Sequence, residues 1–568
     1  MILMAIALLA LLLRLYGSMF AVGFHPDERH IVMVVNDMRW PDLNPRSFAY
    51  GSLPFYILYG VTKALAWIQP EWGNYDGCFM VGRKLSALFG AATVFATGVL
   101  VLELCGSFLA AVAAALLLAA NPFHIQNSHF YTVDGLLTML VTFVMVFLIR
   151  SVRQRDVGYL RTATILSGLA FSTKLAALTL ILPVGMTLLY TWWTNSSERR
   201  SWLDLVKEVL NLTAMAILAS FVTMPYAVLD FQTFYQHIHE QSTMVAGLWV
   251  PPYTIQYQET LPFLYHLDQM LRFTIGPMVA TASAVGLFLA CTRAWRSKDP
   301  AFLVFLTWAG SFFLSIAGAT VKFPRYLLPI YPTLMICAAF VIASPPSPLR
   351  RKRWLAHQVL SAAIVLSGLF YGFRFISIYN TTHTWMSAST WIYATFPAGT
   401  KIIGEHWDDK IPLSLPIPGG DPSKYAVDTK QKEIPIYEHD SPQKWVEICE
   451  TLAHVDVIAL PTARTYGAVP RRPSTYPTTI GYYRALFDGS LGFSLVYTEK
   501  VRPTLFGLEL PDELGDESLS VYDHPKVIIF RKDKVLSAQQ LCAIVKAHEG
   551  PFDWKNEWPH WMTLTKNS

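Results

Sequence analysis

The feature that most constrains this 568-residue chain is a series of long apolar runs that recurs through residues 1–378. Most runs approach the roughly 20 residues that an α-helix needs to cross a bilayer. Hydrophobic residues make up 53% of the chain and charged residues only 15%, whereas soluble proteins average about 25% charged. We therefore predict a polytopic α-helical membrane protein. The same pattern excludes disorder, collagen, coiled coil and a disulfide scaffold for the chain as a whole.

Eleven runs are predicted to span the membrane, although the run Thr162–Phe171 is short. The first run has no basic leader and no cleavage site of the signal-peptide type, and Arg14 interrupts it, so we expect it to be retained. The predicted spans are Met1–Phe24, Leu85–Leu104, Phe108–Ala120, Val133–Ile149, Thr162–Phe171, Leu175–Trp193, Val206–Leu229, Phe273–Cys291, Phe302–Ala317, Tyr326–Ala343 and Leu355–Ile378.

The orientation follows from four clusters of basic residues, which we place in the cytoplasm because cytoplasmic loops are enriched in Lys and Arg. These clusters lie at 150–161, 199–207, 293–298 and 350–353. Counting spans from them predicts outer segments at 23–83, 121–132, 230–271 and 320–325. Within the first segment, Leu53–Ile68 is too short to cross and predicts an interfacial helix, and Pro26–Trp40 predicts a short amphipathic helix.

The composition changes after Ile378, and residues 379–568 carry most of the acidic side chains. Strand-like runs and one stretch with helical periodicity predict a soluble α/β domain there, following a membrane domain of residues 1–378. Span parity places this domain outside the cytoplasm. Of the six cysteines, only Cys449 and Cys542 share it, so one disulfide could form there. The predicted strands are Lys401–Gly404, Val455–Leu460, Phe493–Tyr497 and Lys526–Phe530, and the predicted helix is Pro442–His454.

Three acidic residues at the outer face are candidates for chemistry. Asp27 and Glu28 follow the first span directly, and Asp134 stands at the outer mouth of the span Val133–Ile149. A carboxylate at this boundary suits a general base, and an ionisable residue at the edge of a span is a functional hypothesis by default. The alternative is structural, because acids in the first turn of a helix complement its dipole and can cap it. Both interpretations stay open at this point.

Four cations and a tyrosine occupy the same predicted face: Arg83, Lys174, Lys322, Arg325 and Tyr326. Arginine offers a planar fork and lysine a point charge, and both suit a phosphate. An interfacial belt of basic and aromatic residues, or simple snorkelling of a lysine, is the alternative explanation. The spacing of His25, Asp27 and His30 also permits a divalent metal, so the need for a metal stays open.

The ordered set of motifs resembles the membrane-embedded GT-C glycosyltransferases, and most closely glycosyltransferase family 39 and its relatives. That branch contains the protein O-mannosyltransferases and the aminoarabinose lipid A transferases. The motifs that carry the resemblance are Asp27-Glu28 after the first span, Arg83–Leu88, Asp134–Thr138, Gly168–Lys174 and Arg325–Pro329, and the run Glu517–Phe530 is similar to bacterial members of the superfamily.

The resemblance implies a polyprenyl-phosphate sugar as the lipid-linked donor and a transfer outside the cytoplasm, in the bacterial inner membrane. Asp27 would be the base, Glu28 would position the acceptor or a metal, and Asp134 would support the site. The cations and Tyr326 would hold the donor phosphate. Lipid A transferases carry a Lys-Pro-Pro-Leu stretch where this chain has 50–55 without a lysine, so the phosphate contacts must differ and the acceptor need not be lipid A.

Two other classes of function fit part of the sequence. A transporter or flippase of a polyprenyl-linked lipid would explain the spans and the cations, but it would not explain an outer carboxylate pair beside a large outer domain. A sensor or scaffold would do its work in the outer domain, where 405–409 combines acids with an aromatic residue. The acceptor, whether protein, lipid or glycan, is not specified by the sequence, and nothing indicates a nucleic acid.

Overall fold

The structure is a computed structural model that describes residues 1–20, 22–194, 201–343, 351–407, 409–417, 420–426 and 432–566. The chain divides into two compact units, one of Met1–Ala246 with Pro262–Ile376 and the other of Gly247–Leu261 with Ser377–Ser568. The boundary predicted from the sequence lies two residues later. The segment Gly247–Leu261 joins the second unit because Ile255 packs into that unit's core.

The first unit is helical. Its helices are α1 (Ile2–Leu15), α2 (Pro26–Asp37), α3 (Leu53–Ala66), α4 (Tyr75–Cys105), α5 (Phe108–Ala119), α6 (Pro122–Asn127), α7 (Val133–Gln154), α8 (Val157–Phe171), α9 (Ile181–Thr194), α10 (Trp202–Thr223), α11 (Tyr226–Leu229), α12 (Phe231–Val245), α13 (Leu264–Gln269), α14 (Pro277–Ser297), α15 (Pro300–Ala317), α16 (Tyr331–Ala343) and α17 (Arg351–Ile376). Short 3₁₀ segments, Leu175–Leu180 and Pro324–Ile330, precede α9 and α16.

Eight helical segments of the described chain are long and apolar enough to cross a membrane. They include α4, α7, α10, α14 and α15, and the 3₁₀ segments extend α9 and α16 to sufficient length. The chain is thus a multi-pass membrane protein, as predicted. The count of eleven spans is not reproduced by length, because α1, α5 and α8 have 14, 12 and 15 residues.

Helix α2 begins immediately after the first apolar segment, at the position where the sequence predicts an amphipathic helix. His25 caps it by accepting a hydrogen bond from the Asp27 backbone N–H, and Pro26 occupies the first turn, where its missing N–H costs nothing. Ile31 and Val35 lie on one face and pack with α3 and α4 in a buried cluster. This packing fixes the first turn of α2, which carries Asp27 and Glu28.

The second unit contains a four-stranded sheet. Each predicted strand is present, and the predicted helix at Pro442–His454 has the same bounds in the structure. The strands are β1 (Ile402–Ile403), β2 (Val457–Leu460), β3 (Phe493–Glu499), β4 (Thr504–Leu505), β5 (Leu508–Glu509) and β6 (Val527–Lys532). The sheet has the order β1-β2-β6-β3, in which β1 and β2 are parallel and the other pairs are antiparallel. The helices are α18 (Thr384–Thr395), α19 (Pro442–His454), α20 (Arg464–Ala468), α21 (Pro477–Phe487), α22 (Ala538–Ala547) and α23 (Glu557–Thr563).

A disulfide joins Cys449 in α19 to Cys542 in α22. These are the two cysteines that the sequence places together in the C-terminal domain. The other four cysteines, Cys78, Cys105, Cys291 and Cys337, are free thiols.

Candidate active site

An ion pair joins the first turn of α2 to the segment that leads into α16. Arg325 contacts the Asp27 Oδ2 atom through Nη2 at 2.9 Å. The Asp27 side chain keeps 20% of its surface exposed, while Arg325 keeps 9%. The structure thus brings together an acid and a cation that the sequence singled out separately, and the carboxylate faces a partly open space.

A second ion pair lies beside the first. The Lys174 Nζ atom contacts Asp134 Oδ1 at 2.8 Å, and Asp134 is buried in the first turn of α7. The Lys174 ammonium also lies 3.9 Å from the centroid of the Tyr326 ring. This distance is within the range of a cation–π interaction, which is stronger where water is excluded.

Arg325 connects the two pairs. Its Nε atom lies 3.9 Å from Asp134 Oδ2, and its guanidinium lies 4.4 Å from the centroid of the Phe323 ring. Two carboxylates and two cations therefore share one small region of the first unit. The positive and negative charges of this cluster balance one another.

The electrostatic state of Asp27 is set by its neighbours. Burial acts to raise the pKa of this carboxyl, but the charges of Arg325 and His25 and a hydrogen bond with Tyr50 outweigh burial and lower the pKa below its usual value. Burial and the Asp27 charge raise the pKa of Tyr50 well above its usual value. Asp27 is thus a carboxylate, and Tyr50 is a neutral hydroxyl. The sequence indicated only that residues 50–55 lack the lysine of the lipid A transferases. It did not predict the hydrogen bond between Tyr50 and Asp27.

The loop that carries Tyr50 is docked on the loop that carries Lys174. The Gly51 N–H donates to the Thr173 carbonyl at 3.1 Å, and the Leu53 N–H donates to the Ser172 carbonyl at 3.0 Å. A Cβ atom on Gly51 would lie 2.0 Å from the Ser172 carbonyl oxygen. Only glycine permits this approach, and the approach fixes the backbone that directly precedes Lys174.

Glu28 and Arg83, which the resemblance expects to position the acceptor and to bind the donor phosphate, form a buried ion pair with each other. Arg83 donates to both Glu28 carboxylate oxygens, through Nε at 2.9 Å and Nη2 at 2.6 Å, and to the Ser18 carbonyl at 3.0 Å. Glu28 also accepts from the Tyr131 N–H at 2.9 Å. Both side chains are at most 1% exposed. The expected roles of Glu28 and Arg83 stay predictions, and the contacts of the pair lie inside the protein.

Lys322, another predicted ligand of the donor phosphate, contacts the protein backbone. Its side chain is buried, and the ammonium donates to the Thr320 carbonyl at 2.9 Å. Burial lowers the pKa of Lys322, and burial together with the Lys322 charge lowers the pKa of His266 to about 4. The role of Lys322 as a phosphate ligand stays a prediction. Of the other predicted phosphate ligands, Lys174, Arg325 and Tyr326 lie together.

The side chains of the site do not fit a divalent metal. Within the described ranges, no group of three or more His, Cys, Asp and Glu side chains is arranged to hold one. Asp27, Glu28 and Asp134 each face a cation of the protein, which leaves no excess negative charge for a metal ion. His30 contacts the Ser47 hydroxyl at 2.8 Å.

An apolar groove of about 750 Å³ lies beside the Lys174 loop. Helices α8, α9, α10 and α12 line it, and Lys174 stands in the sequence between two of its lining residues, Phe171 and Ala177. The lining is almost entirely hydrocarbon and includes Leu180, Ile217 and Phe221. A long unbranched or isoprenoid chain suits such a surface.

Residues 49–241 match the model of the dolichyl-phosphate-mannose-protein mannosyltransferase family. This range covers about a third of the chain and contains Asp134 and Lys174, whereas Asp27 and Arg325 lie outside it. The chain has no significant match among curated proteins. The family match confirms the predicted resemblance to the GT-C glycosyltransferases.

Two solved structures of an oligosaccharyltransferase from Archaeoglobus fulgidus share the fold. One, AglB in complex with an inhibitory peptide and a dolichol-phosphate, has a TM-score of 0.51 at 12% identity, over 90% of this chain and 74% of that chain. The other, tethered with an acceptor peptide, has a TM-score of 0.50 at 13% identity, over 89% and 73%. ArnT from Cupriavidus metallidurans bound to undecaprenyl phosphate matches at a TM-score of 0.48 and 15% identity, over 93% and 97%. The two oligosaccharyltransferase structures and the family match confirm the predicted GT-C-like fold.

Proposed function

We propose that this chain is a glycosyltransferase that moves a sugar from a polyprenyl-phosphate donor to an acceptor hydroxyl, with inversion at the anomeric carbon. The reaction takes place on the extracytoplasmic face of a bacterial inner membrane. The observation that carries the proposal is the paired cluster in which Arg325 and Lys174 contact Asp27 and Asp134. The cluster supplies a base and a phosphate site within one region.

The chemistry follows from the residue types. The acceptor oxygen attacks the anomeric carbon while the bond from that carbon to the phosphate oxygen breaks. Asp27 takes the acceptor proton, and a positioned base of this kind contributes about 10²–10⁴-fold to the rate. Arg325 and Lys174 stabilise the charge that develops on the departing polyprenyl phosphate, because they are oriented before the reaction.

Donor binding also prepares the base. Without donor, Arg325 lowers the pKa of Asp27 and makes it a weak base. A donor phosphate that takes over the guanidinium removes that effect, and burial then acts to raise the Asp27 pKa. The site therefore favours an ordered reaction in which the donor binds first and the acceptor is deprotonated only afterwards.

The apolar groove supports a lipid-linked donor. It begins at residues that flank Lys174 in the sequence, so a phosphate held by the Lys174 ammonium would bring its hydrocarbon tail to the groove. The match to a dolichyl-phosphate-dependent family agrees with this class of donor. So does AglB, which shares the fold and whose solved structure contains a dolichol-phosphate.

The placement outside the cytoplasm is supported by two independent features. With the eleven spans predicted from the sequence, the basic clusters favour the outer face for the Asp27 segment and for the C-terminal unit. The Cys449–Cys542 disulfide belongs to the C-terminal unit, and disulfides persist in oxidising compartments.

The test of the phosphate site is equilibrium binding of tritiated undecaprenyl phosphate to the purified full-length protein. Arg325→Gln and Lys174→Met should each weaken binding about tenfold to a hundredfold, since each removes a charge-assisted hydrogen bond. Lys63→Met is the matched control, because Lys63 is an exposed lysine of α3 and lies 5.5 Å from the Tyr59 ring centroid. Equal affinity in all four proteins would overturn the phosphate assignment.

A further inference from the structure

A second group of chemistry-bearing residues lies in the C-terminal unit, at one edge of its sheet. Because β1 and β2 are parallel, their carboxyl ends meet at the same edge. Strand β6 is antiparallel to β2 and starts at that edge, with Leu460 opposite Ile528. The loops that follow β1 and β2 therefore lie together at that edge.

An exposed tryptophan follows β1 at this edge. Trp407 has 46% of its surface exposed, and its φ of 85° lies in the left-handed region that strongly favours glycine. The Arg464 Nη1 atom donates to the Trp407 carbonyl at 3.3 Å and helps to hold that backbone. A bulky residue in a strained conformation persists only when its surroundings impose it, and such residues cluster at functional sites.

Polar groups with planar geometry stand next to Trp407. Arg464, in the segment that follows β2, contacts Glu517 through Nε at 2.7 Å. Glu517 in turn accepts from the Gln256 amide at 3.3 Å. A guanidinium, a carboxylate and an amide are therefore linked in one network, and each can form paired hydrogen bonds with adjacent hydroxyls.

The segment Gly247–Leu261 supplies the other aromatic ring. Ile255 is buried in the core of this unit, and this anchor presents Tyr253 and Gln256 at the edge. The Tyr253 and Trp407 rings form a T-shaped pair with centroids 6.3 Å apart. The packing explains why a segment between two helices of the first unit belongs to the second.

We infer that Trp407, Tyr253, Gln256, Arg464 and Glu517 form a saccharide-binding subsite. The face of a pyranose ring carries polarised C–H groups that pack on the negative face of an aromatic ring. Its neighbouring hydroxyls match the hydrogen-bonding pairs of the guanidinium, the carboxylate and the amide. The ligand of this subsite is a glycan. Only the identification of that glycan as the acceptor rests on the proposed function.

The test uses the purified full-length protein and four probes: maltotetraose, cellotetraose, mannotetraose and chitotetraose. Saturation-transfer difference NMR is expected to detect at least one of them with the unchanged protein. Trp407→Ala should reduce that signal at least tenfold. Trp249→Ala is the matched control, because Trp249 belongs to the same unit and is 47% exposed, and it should keep the signal.

A second variant separates loss of binding from loss of folding. Trp407→Gly relieves the positive φ, so it should raise the thermal unfolding midpoint or leave it unchanged while the saccharide signal disappears. No saturation transfer from any of the four probes, or equal transfer in Trp407→Ala and Trp249→Ala, would overturn the assignment. The experiment needs neither donor nor turnover, so its result is distinguishable from a failure of the proposed transferase activity.

Discussion

Arg325 contacts Asp27 Oδ2 at 2.9 Å, although the two residues come from opposite ends of the membrane unit's sequence. The same guanidinium lies 3.9 Å from Asp134. One arginine thus lies within ion-pairing distance of both acids in the cluster. The ion pair makes the Asp27 carboxylate a weak base until an anionic ligand competes for Arg325.

The coupling between Arg325 and Asp27 predicts a specific pH dependence. The lowered pKa of Asp27 keeps its carboxylate ionised as the pH falls. The value of kcat/KM should therefore stay high well into the acid range. Arg325→Gln removes the largest influence that lowers this pKa, and burial then raises it. The acidic limb of kcat/KM should therefore move to higher pH in the variant.

The measurement is the pH profile of kcat/KM in both proteins, with Lys63→Met as a charge-matched control. An acidic limb at the same pH in Arg325→Gln and in the unchanged protein would show that Arg325 does not set the charge state of the base.

The buried pair of Glu28 and Arg83 should affect stability more than donor binding. Glu28→Gln leaves a guanidinium without its carboxylate in a dry interior, and breaking such a pair costs about 3–5 kcal/mol. We expect a large fall in the thermal unfolding midpoint. The double variant Glu28→Leu with Arg83→Met should recover most of it, because it removes both charges. A normal thermal unfolding midpoint in Glu28→Gln together with lost turnover would instead support a role of Glu28 in the reaction.

Gly51 is predicted to position Lys174 through the backbone. Gly51→Ala places a Cβ atom 2.0 Å from the Ser172 carbonyl, so the two loops must separate. The affinity for undecaprenyl phosphate should then fall, while the helices of the unit remain. Gly60→Ala is the control, since a Cβ atom on Gly60 would have no neighbour within 4 Å, and alanine favours a helix over glycine by up to about 1 kcal/mol. Unchanged donor affinity in Gly51→Ala would show that the loop contact does not position Lys174.

The elements of the fold were largely predictable, because they depend on local patterns. Helix α19 has its predicted bounds, since Ser441 caps its first turn and its apolar residues recur with helical spacing. The partner of each charge was not predictable. The sequence placed Arg83 and Arg325 on the same face as Asp27 and Glu28, but only packing decides that Arg83 meets Glu28. For the same reason, the contact of Tyr50 with Asp27 has no local signal.

The disulfide gives a direct test of the compartment. Alkylation of the unfolded protein without reductant should modify four thiols, Cys78, Cys105, Cys291 and Cys337. Two further thiols, Cys449 and Cys542, should react only after reduction. Mass spectrometry of the protein isolated from its own membranes counts these modifications. Alkylation of six thiols without reductant would contradict an oxidising environment for the C-terminal unit.

The measurement that tests the central claim most directly is release of free polyprenyl phosphate from a panel of radiolabelled polyprenyl-phosphate sugars. Purified protein with membrane lipids and an acceptor extract is compared with Asp27→Asn, which keeps the size of the side chain and removes the base. We expect release from one donor by the unchanged protein and a loss of about 10²–10⁴-fold in the variant. Undecaprenyl phosphate should bind both proteins. Wild-type turnover in Asp27→Asn, or no release from any donor by the folded protein, would contradict the assignment of Asp27 as the base of a polyprenyl-phosphate-dependent glycosyltransferase.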